Sequence, residues 1–367
     1  MVFSKKAIFN IFIDLTINFF FGLISFLLLI IMIQTFSLSE DIINFGADTK
    51  SIGLMVFYLS LSFFPIIIPM SFLFSVLTTF SRLNVESELI ALKTLGLSPF
   101  FLFLAPLIFS LFCVFTSANL SFQIAPWGQK KIAQLFKQLA EDRIKLNIKE
   151  GVFTTQFKNI VIYANKISKD SKELKQLFIY SDDIKDEPVA LTAQKGTLTS
   201  EKNTSGSYGH LKLTDGQIHQ SNPKAHTKVS FSENLVNLYD PIKSTFSAKN
   251  VLSMSLDDLR NKLNSGSAKP KEQLQAKIEI NKRWALSIVN ILFALIGFAL
   301  ATLVQKRQAK SNGLVICVGL LVLYWVLFIS SENIAKTEKA PVLVAIWLPN
   351  IIYAITGLFL FNKSTKV

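Results

Sequence analysis

Six stretches of this 367-residue chain contain no Asp, Glu, Lys or Arg: residues 15–39, 51–81, 94–129, 284–305, 311–331 and 340–362. Each is at least 21 residues long, and about 20 apolar residues of helix cross the ~30 Å hydrocarbon core of a bilayer. The remaining residues hold all 63 charges. The overall figure of 17% charged therefore averages two kinds of segment, and a uniformly soluble, disordered or collagen-like chain is excluded. Backbone polar groups in lipid are satisfied only within helices or closed barrels. These runs are continuously apolar and do not alternate, so we read helices, near 11–34, 54–80, 99–121, 285–305, 313–331 and 342–361. The first is too long for a signal peptide, and no small-residue cleavage pattern follows Gln34.

Six spans put both termini on one side. The short segments on that side carry Lys5, Lys6, Arg82, Lys93, Lys306, Arg307, Lys310, Lys363 and Lys366; those opposite carry only Lys50, Lys336 and Lys339. Nine against three places the termini in the cytoplasm and segment 130–283 outside it. That segment has 26 Lys and Arg against 17 Asp and Glu, so it supplies +9 of the chain's +13. Nucleic acid, the usual partner of a basic protein, is on the wrong side of the membrane. The excess is either a solvated basic surface or an attraction for anionic headgroups and phosphates. Both cysteines, Cys113 and Cys317, fall in spans, so the exported segment has to be stable without disulfides.

Ile132, Leu135, Phe136 and Leu139 predict a helix after the third span. The period then changes. Val152–Thr155, Ile160–Tyr163, Leu177–Tyr180, Val189–Thr192, Thr197–Thr199, His210–Leu213, Gln217–His219, Lys228–Phe231 and Leu235–Leu238 read as short strands, with Asp215–Gly216 as a two-residue hairpin turn. Many short strands with no helix between them suggest a β-sandwich or jelly roll. Ser255 and Asp258 resemble a capping box opening a short helix; Pro270 opens another that runs into the fourth span. The fold class is a polytopic α-helical membrane protein, six spans arranged 3+3, with an extracytoplasmic β-jelly-roll-like domain between the third and fourth. The predicted divisions are 1–129, 130–283 and 284–367.

Catalytic signatures are missing. Asp14 is the one ionisable residue near a span, at its cytoplasmic end, where an interfacial or capping role suffices. His210, His219 and His226 match no zinc spacing. There is no G-x-S-x-G elbow and no P-loop, so the chain cannot bind ATP in that way. Any active transport needs another subunit or an ion gradient, and no mid-membrane carboxylate serves the latter. Pro65 and Pro69 kink the second span or shape a cavity wall. The informative loop is Arg82–Ser98. Leu83, Glu86, Ile90 and Lys93 have helical spacing, as do Val85, Leu89, Leu92 and Leu95; Gly96 stops the pattern and Pro99 follows. An amphipathic helix over 82–97 is either an interfacial connector or a docking element for an ATPase, with Glu86 and Glu88 meeting Arg or Lys.

Several local sequences resemble the lipopolysaccharide-export permeases of the LptF/LptG (YjgP/YjgQ) family. They are Arg82–Ser98, Gln123-Ile-Ala-Pro126, Gly151-Val-Phe with Val161-Ile-Tyr163, Glu279-Ile-Asn-Lys-Arg-Trp284, and Trp347-Leu-Pro-Asn350. The resemblance covers nearly the whole chain. It implies a bacterial inner-membrane subunit, itself no enzyme and binding no cofactor, paired with a paralogous permease. An LptB ATPase dimer would supply ATP and magnesium chemistry, and a periplasmic β-jelly roll would pass lipopolysaccharide to LptC and LptA. It also implies ATPase coupling through Arg82, Glu86, Glu88, Lys93 and Gly96. Lys130 and Lys131 are expected to contact acidic sugar phosphates, and the first and fifth spans to line a gate for acyl chains. The first span has no basic residue between Asp14 and Glu40, a departure that leans toward the LptF side. Two other classes compete. An FtsX- or MacB-like mechanotransmission or scaffold protein would usually have four spans, with its insert after the first. A lipid-modifying membrane enzyme lacks its catalytic cluster here.

Overall fold

The computed structural model describes residues 2–45, 48–147, 150–157, 160–167, 173–181, 189–199, 209–222, 225–239, 251–264, 269–303 and 306–366. Residues 1–35, 56–129 and 251–367 form one compact unit; 36–55 and 130–250 form a second. The helices are α1 (Val2–Phe45), α2 (Thr49–Val85), α3 (Glu88–Thr94), α4 (Pro99–Asn119), α5 (Ala125–Asn147), α6 (Leu256–Asn264), α7 (Pro270–Leu303), α8 (Lys306–Lys336) and α9 (Val342–Lys366). The strands are β1 (Phe153–Phe157), β2 (Ile160–Ile167), β3 (Glu173–Ser181), β4 (Val189–Thr199), β5 (Gly209–Asn222) and β6 (Ala225–Tyr239).

Among the described residues, six segments are long and apolar enough to cross a membrane: Lys6–Phe36, Thr49–Val85, Pro99–Phe136, Pro270–Leu303, Val315–Lys336 and Val342–Thr365. They overlap all six predicted spans, the fourth and fifth agreeing to within two residues at one end, and the β domain lies between the third and fourth, as expected. The third continues past its expected end at 121. A wide π-turn over Leu120–Ile124 joins α4 to α5 just before Pro126, absorbing the hydrogen bond that this proline cannot donate. Ser98 starts α4 by accepting the Phe101 N–H on its hydroxyl at 3.2 Å, with Pro99 at the first helical position. Pro65 and Pro69 lie inside α2, where the Ser117 hydroxyl donates to the Pro65 carbonyl at 3.5 Å.

Helix α7 is the axis of the first unit, packing on α4, α8 and α9. Phe293 sits edge-on to Tyr324, and Phe80 edge-on to Phe298. Phe12, Phe19 and Phe72 surround Phe109. The described strands end before residue 250, and a short helix and the start of α7 follow, as read from the sequence. Residues from 251 onward pack with the helical unit. Val251, Leu259 and Ala276 form a small buried cluster there. Arg283, 4% exposed, donates to the Met254 carbonyl at 2.9 Å and to that of Leu252 at 3.2 Å, and pairs with Glu279 at 2.9 Å.

Among the described residues, six strands in chain order, β1 to β6, make one antiparallel sheet. The short runs read from the sequence merge. Residues 189–192 and 197–199 both fall in β4, 210–213 and 217–219 in β5, and 228–231 and 235–238 in β6. The hairpin expected at Asp215–Gly216 is not there. Thr214 and Gly216 pair with Lys195 and Ala193 of β4 on one side, and with Glu233 and Phe231 of β6 on the other. Asp215 does adopt a left-handed φ of 54°, and so does Gln176, at 52°, but both serve to slip the strand by half a pleat. In β3 the buried residues are Leu174, then Leu177, Ile179 and Ser181. In β5 they are Leu211 and Leu213, with Ile218 packed against the same core. Alternation should hold side chains two apart on one face. The slip reverses it, so both ends of each strand feed one apolar core.

Candidate functional site: the loop after the second membrane helix

The single helix expected over 82–97 is interrupted. Arg82 belongs to the last turn of α2, the chain turns at Glu86–Ser87, and α3 runs only over Glu88–Thr94. Ser87 makes the break with a φ of 63°. Gly96, φ 86°, makes the exit: its N–H donates to the Lys93 carbonyl at 3.0 Å, and the Leu97 N–H to that of Leu92 at 3.2 Å. That pair of bonds is a Schellman motif, which favours glycine at its left-handed position.

Three contacts fix this loop to the bundle. The Arg82 guanidinium donates to Asp14 on α1 at 2.6 Å and to Glu86 at 2.8 Å. The buried Asn84 amide donates to the Ala301 carbonyl near the end of α7 at 3.0 Å. Leu83 and Leu89 are buried in the main core. What faces outward is mixed: Glu86 and Glu88 are exposed, with Ile90 45% and Leu95 76% exposed. Asp14, Glu88, Leu83 and Leu92 line a recess of about 250 Å³. A braced, acidic and apolar surface of this kind suits a protein partner carrying basic and apolar side chains.

The expected site residues are thus partly brought together. Arg82 and Glu86 are linked and Glu88 lines the same recess as Asp14, whose pairing with Arg82 goes beyond the interfacial or capping role read from sequence. Lys93 is half-buried on α3 and Gly96 is an exposed turn. Lys130 and Lys131 are half-buried on α5, apart in sequence from that loop. Sequence reasoning missed Asn84 and the polar ties of α7, although a lone Asn or Arg bordering an apolar run is the signal that marks such ties. Asn281 accepts from the Trp347 indole at 3.3 Å. Asn350 donates to the Ala285 carbonyl at 2.9 Å and accepts from the Tyr324 hydroxyl at 3.0 Å. Lys282 and Lys336 both pair with Glu332, at 2.9 and 2.8 Å.

The spans differ in how much of them is covered. In the most apolar window of each, 11% of residues are buried in α1 and 28% in α8, the two lowest values; α7 reaches 61%. Exposed Phe20, Phe21, Leu28 and Met32 on α1, and Val322, Val326 and Ile329 on α8, leave broad apolar surface.

Among the described residues, six apolar spans with an antiparallel β domain inserted between the third and fourth define a polytopic membrane protein. Its sequence matches the family model of the lipopolysaccharide export system permease LptF/LptG over residues 11–363, and the chain belongs to that family. A search among individually curated proteins gives no match.

Proposed function

We propose that this chain is one half of a lipopolysaccharide exporter in the bacterial inner membrane, with its termini cytoplasmic and its β domain periplasmic. It pairs with a paralogous permease and is driven by a separate ATPase dimer of the LptB kind, which carries the ATP and magnesium. The two permeases enclose a cavity bordered by α1 and α8, whose bare apolar surface suits acyl chains and a partner helix. Closure of the ATPase is transmitted through 82–97. Asp14 and Asn84 tie that loop to α1 and α7, so a push on α3 moves helices together and does not bend a free connector. Lipid forced out of the cavity meets the apolar core of the β domain and passes to a bridge of the LptC and LptA kind, because acyl chains are costly to leave in water. Lys130 and Lys131 meet its sugar phosphates.

The observation that carries this reading is the braced outward face of the loop, where Glu86, Glu88, Ile90 and Leu95 stay exposed while Leu83 and Leu89 are anchored. Co-purification from native membranes tests it. The wild-type chain should bring down a P-loop ATPase, and Glu88→Arg should lose both the ATPase and export. A Glu88→Arg chain that assembles and exports like wild type overturns the assignment of the loop.

A further inference from the structure

Strand register places Lys166 of β2 directly opposite Lys175 of β3, and Lys175 directly opposite Lys195 of β4. All three are exposed. Like charges facing each other across strands destabilise a sheet. This sheet can avoid them: Lys212 of β5 pairs with Glu233 of β6 at 2.8 Å. Glu233 ends the same cross-strand row, through Thr214, but its carboxylate is held by Lys212. Glu173, two residues before Lys175, makes no ion pair with any of the three lysines among the described residues. Three adjacent ammonium groups are therefore left facing outward.

Beside them runs a groove of about 790 Å³, lined by Tyr163, Asn165, Gln176, Gln194, Asp215 and Gln217 among others. It follows the row where the strands slip, with Gln176 and Asp215 in left-handed conformations. The Asn165 amide donates to the Gln176 side-chain oxygen, which orients both. Amides that donate and accept, one carboxylate and an aromatic ring are the groups that hold a sugar's hydroxyls and its apolar face. Lysines alongside supply charge for a phosphate on that sugar.

We propose that this groove and its lysine row bind a phosphorylated saccharide, the headgroup of the glycolipid cargo. This rests on the transport reading for the lipid's identity and on the sheet for the chemistry. A flat anionic bilayer is the poorer match, because Asp215 in the recess would repel it and the amides would go unused.

The full-length chain in nanodiscs of neutral phosphatidylcholine is offered a bisphosphorylated glucosamine disaccharide, the same disaccharide without phosphates, inorganic phosphate, and phosphatidylglycerol vesicles. Lysine acylation read by mass spectrometry, with exposed Lys228 as the reference, reports occupancy, and calorimetry reports affinity. The bisphosphorylated sugar should protect Lys166, Lys175 and Lys195 but not Lys228. Its affinity should fall about fivefold in Lys175→Gln, which removes one exposed charge contact, fall in Gln176→Ala, and weaken with salt. Should Lys175→Gln disturb the sheet by circular dichroism, Lys195→Gln replaces it. Equal binding of the unphosphorylated sugar, equal protection by inorganic phosphate, stronger protection by the vesicles, or no protection overturns the site. Loss of sugar binding with ATPase co-purification intact counts against this site alone. Failed co-purification with sugar binding intact counts against the transport reading alone.

Discussion

Asn350 and Asn290 are both buried in the helical unit and differ in one respect. Asn350 has its amide and its carbonyl engaged, bridging α9 to α7 and α8. Asn290 donates to the Ser287 carbonyl at 2.8 Å, but its own Oδ1 has no partner among the described residues. An unmade buried hydrogen bond costs about 1–3 kcal/mol. Asn350→Leu should therefore lower the thermal midpoint in detergent, by a loss of about 1–3 kcal/mol, because it strands the buried Tyr324 hydroxyl. Asn290→Leu should leave the midpoint unchanged or raise it. Arg283 is a stronger case. Truncation to Ala would leave the half-buried Glu279 without its guanidinium and free the carbonyls of Met254 and Leu252, a loss of about 3 kcal/mol. By contrast, Arg82 is roughly two-fifths exposed, so its pairs with Asp14 and Glu86 contribute at most about 1 kcal/mol each. Arg82→Ala should fold normally and be defective in coupling, which ATP-driven export set against thermal stability would separate. Arg82, Glu86 and Glu88 could be picked out from sequence because charge interrupts apolar runs there. Asp14's partner could not, since 68 positions separate the pair and only the packing of α1 on α2 brings them together.

Elements were legible where composition alone decides them. A bilayer-length uncharged run has one stable form in lipid, and the six spans follow from it. The loop and the sheet depended on backbone conformations that residue identity signals poorly. Gly96 advertises its left-handed turn, whereas Ser87 does not, so the interruption between α2 and α3 was hidden within a helical periodicity. In the β domain, Asp-Gly carries the strongest short hairpin signal, yet here its positive φ serves a slip inside one long strand, and Gln176 gives no hint of doing the same. Gly216 is required there for a second reason. A Cβ at that position would lie 2.4 Å from both the Phe231 ring and the Thr192 carbonyl oxygen. Gly216→Ala should cost about 1–3 kcal/mol through overpacking, seen as faster amide exchange across β4, β5 and β6 with the helices unaffected. Gly96 has open space around it, so Gly96→Ala pays only for conformation, about 1–2 kcal/mol, confined to the loop.

For the whole molecule, the uneven covering of the spans matters most. Helix α7, mostly buried over its most apolar window, is core; α1 and α8 are apolar and largely bare over theirs. In a membrane that surface meets lipid, a partner helix or cargo, and the family to which the chain belongs makes cargo and partner the reading we favour. The charge sum of +13 acquires meaning at this scale too, since its largest share lies in the segment holding the lysine row. The central claim is that lipopolysaccharide passes from the spans into the β domain under the power of ATP. Photoreactive residues at Ile218 and Val236, both packed against the β core, and at Phe20 on α1, test it in membranes that hold the assembled transporter. The account predicts lipopolysaccharide adducts at Phe20 without ATP, and adducts at Ile218 and Val236 only once ATP is added. Adducts at Phe20 alone, with none at either β position under any nucleotide condition, would contradict it.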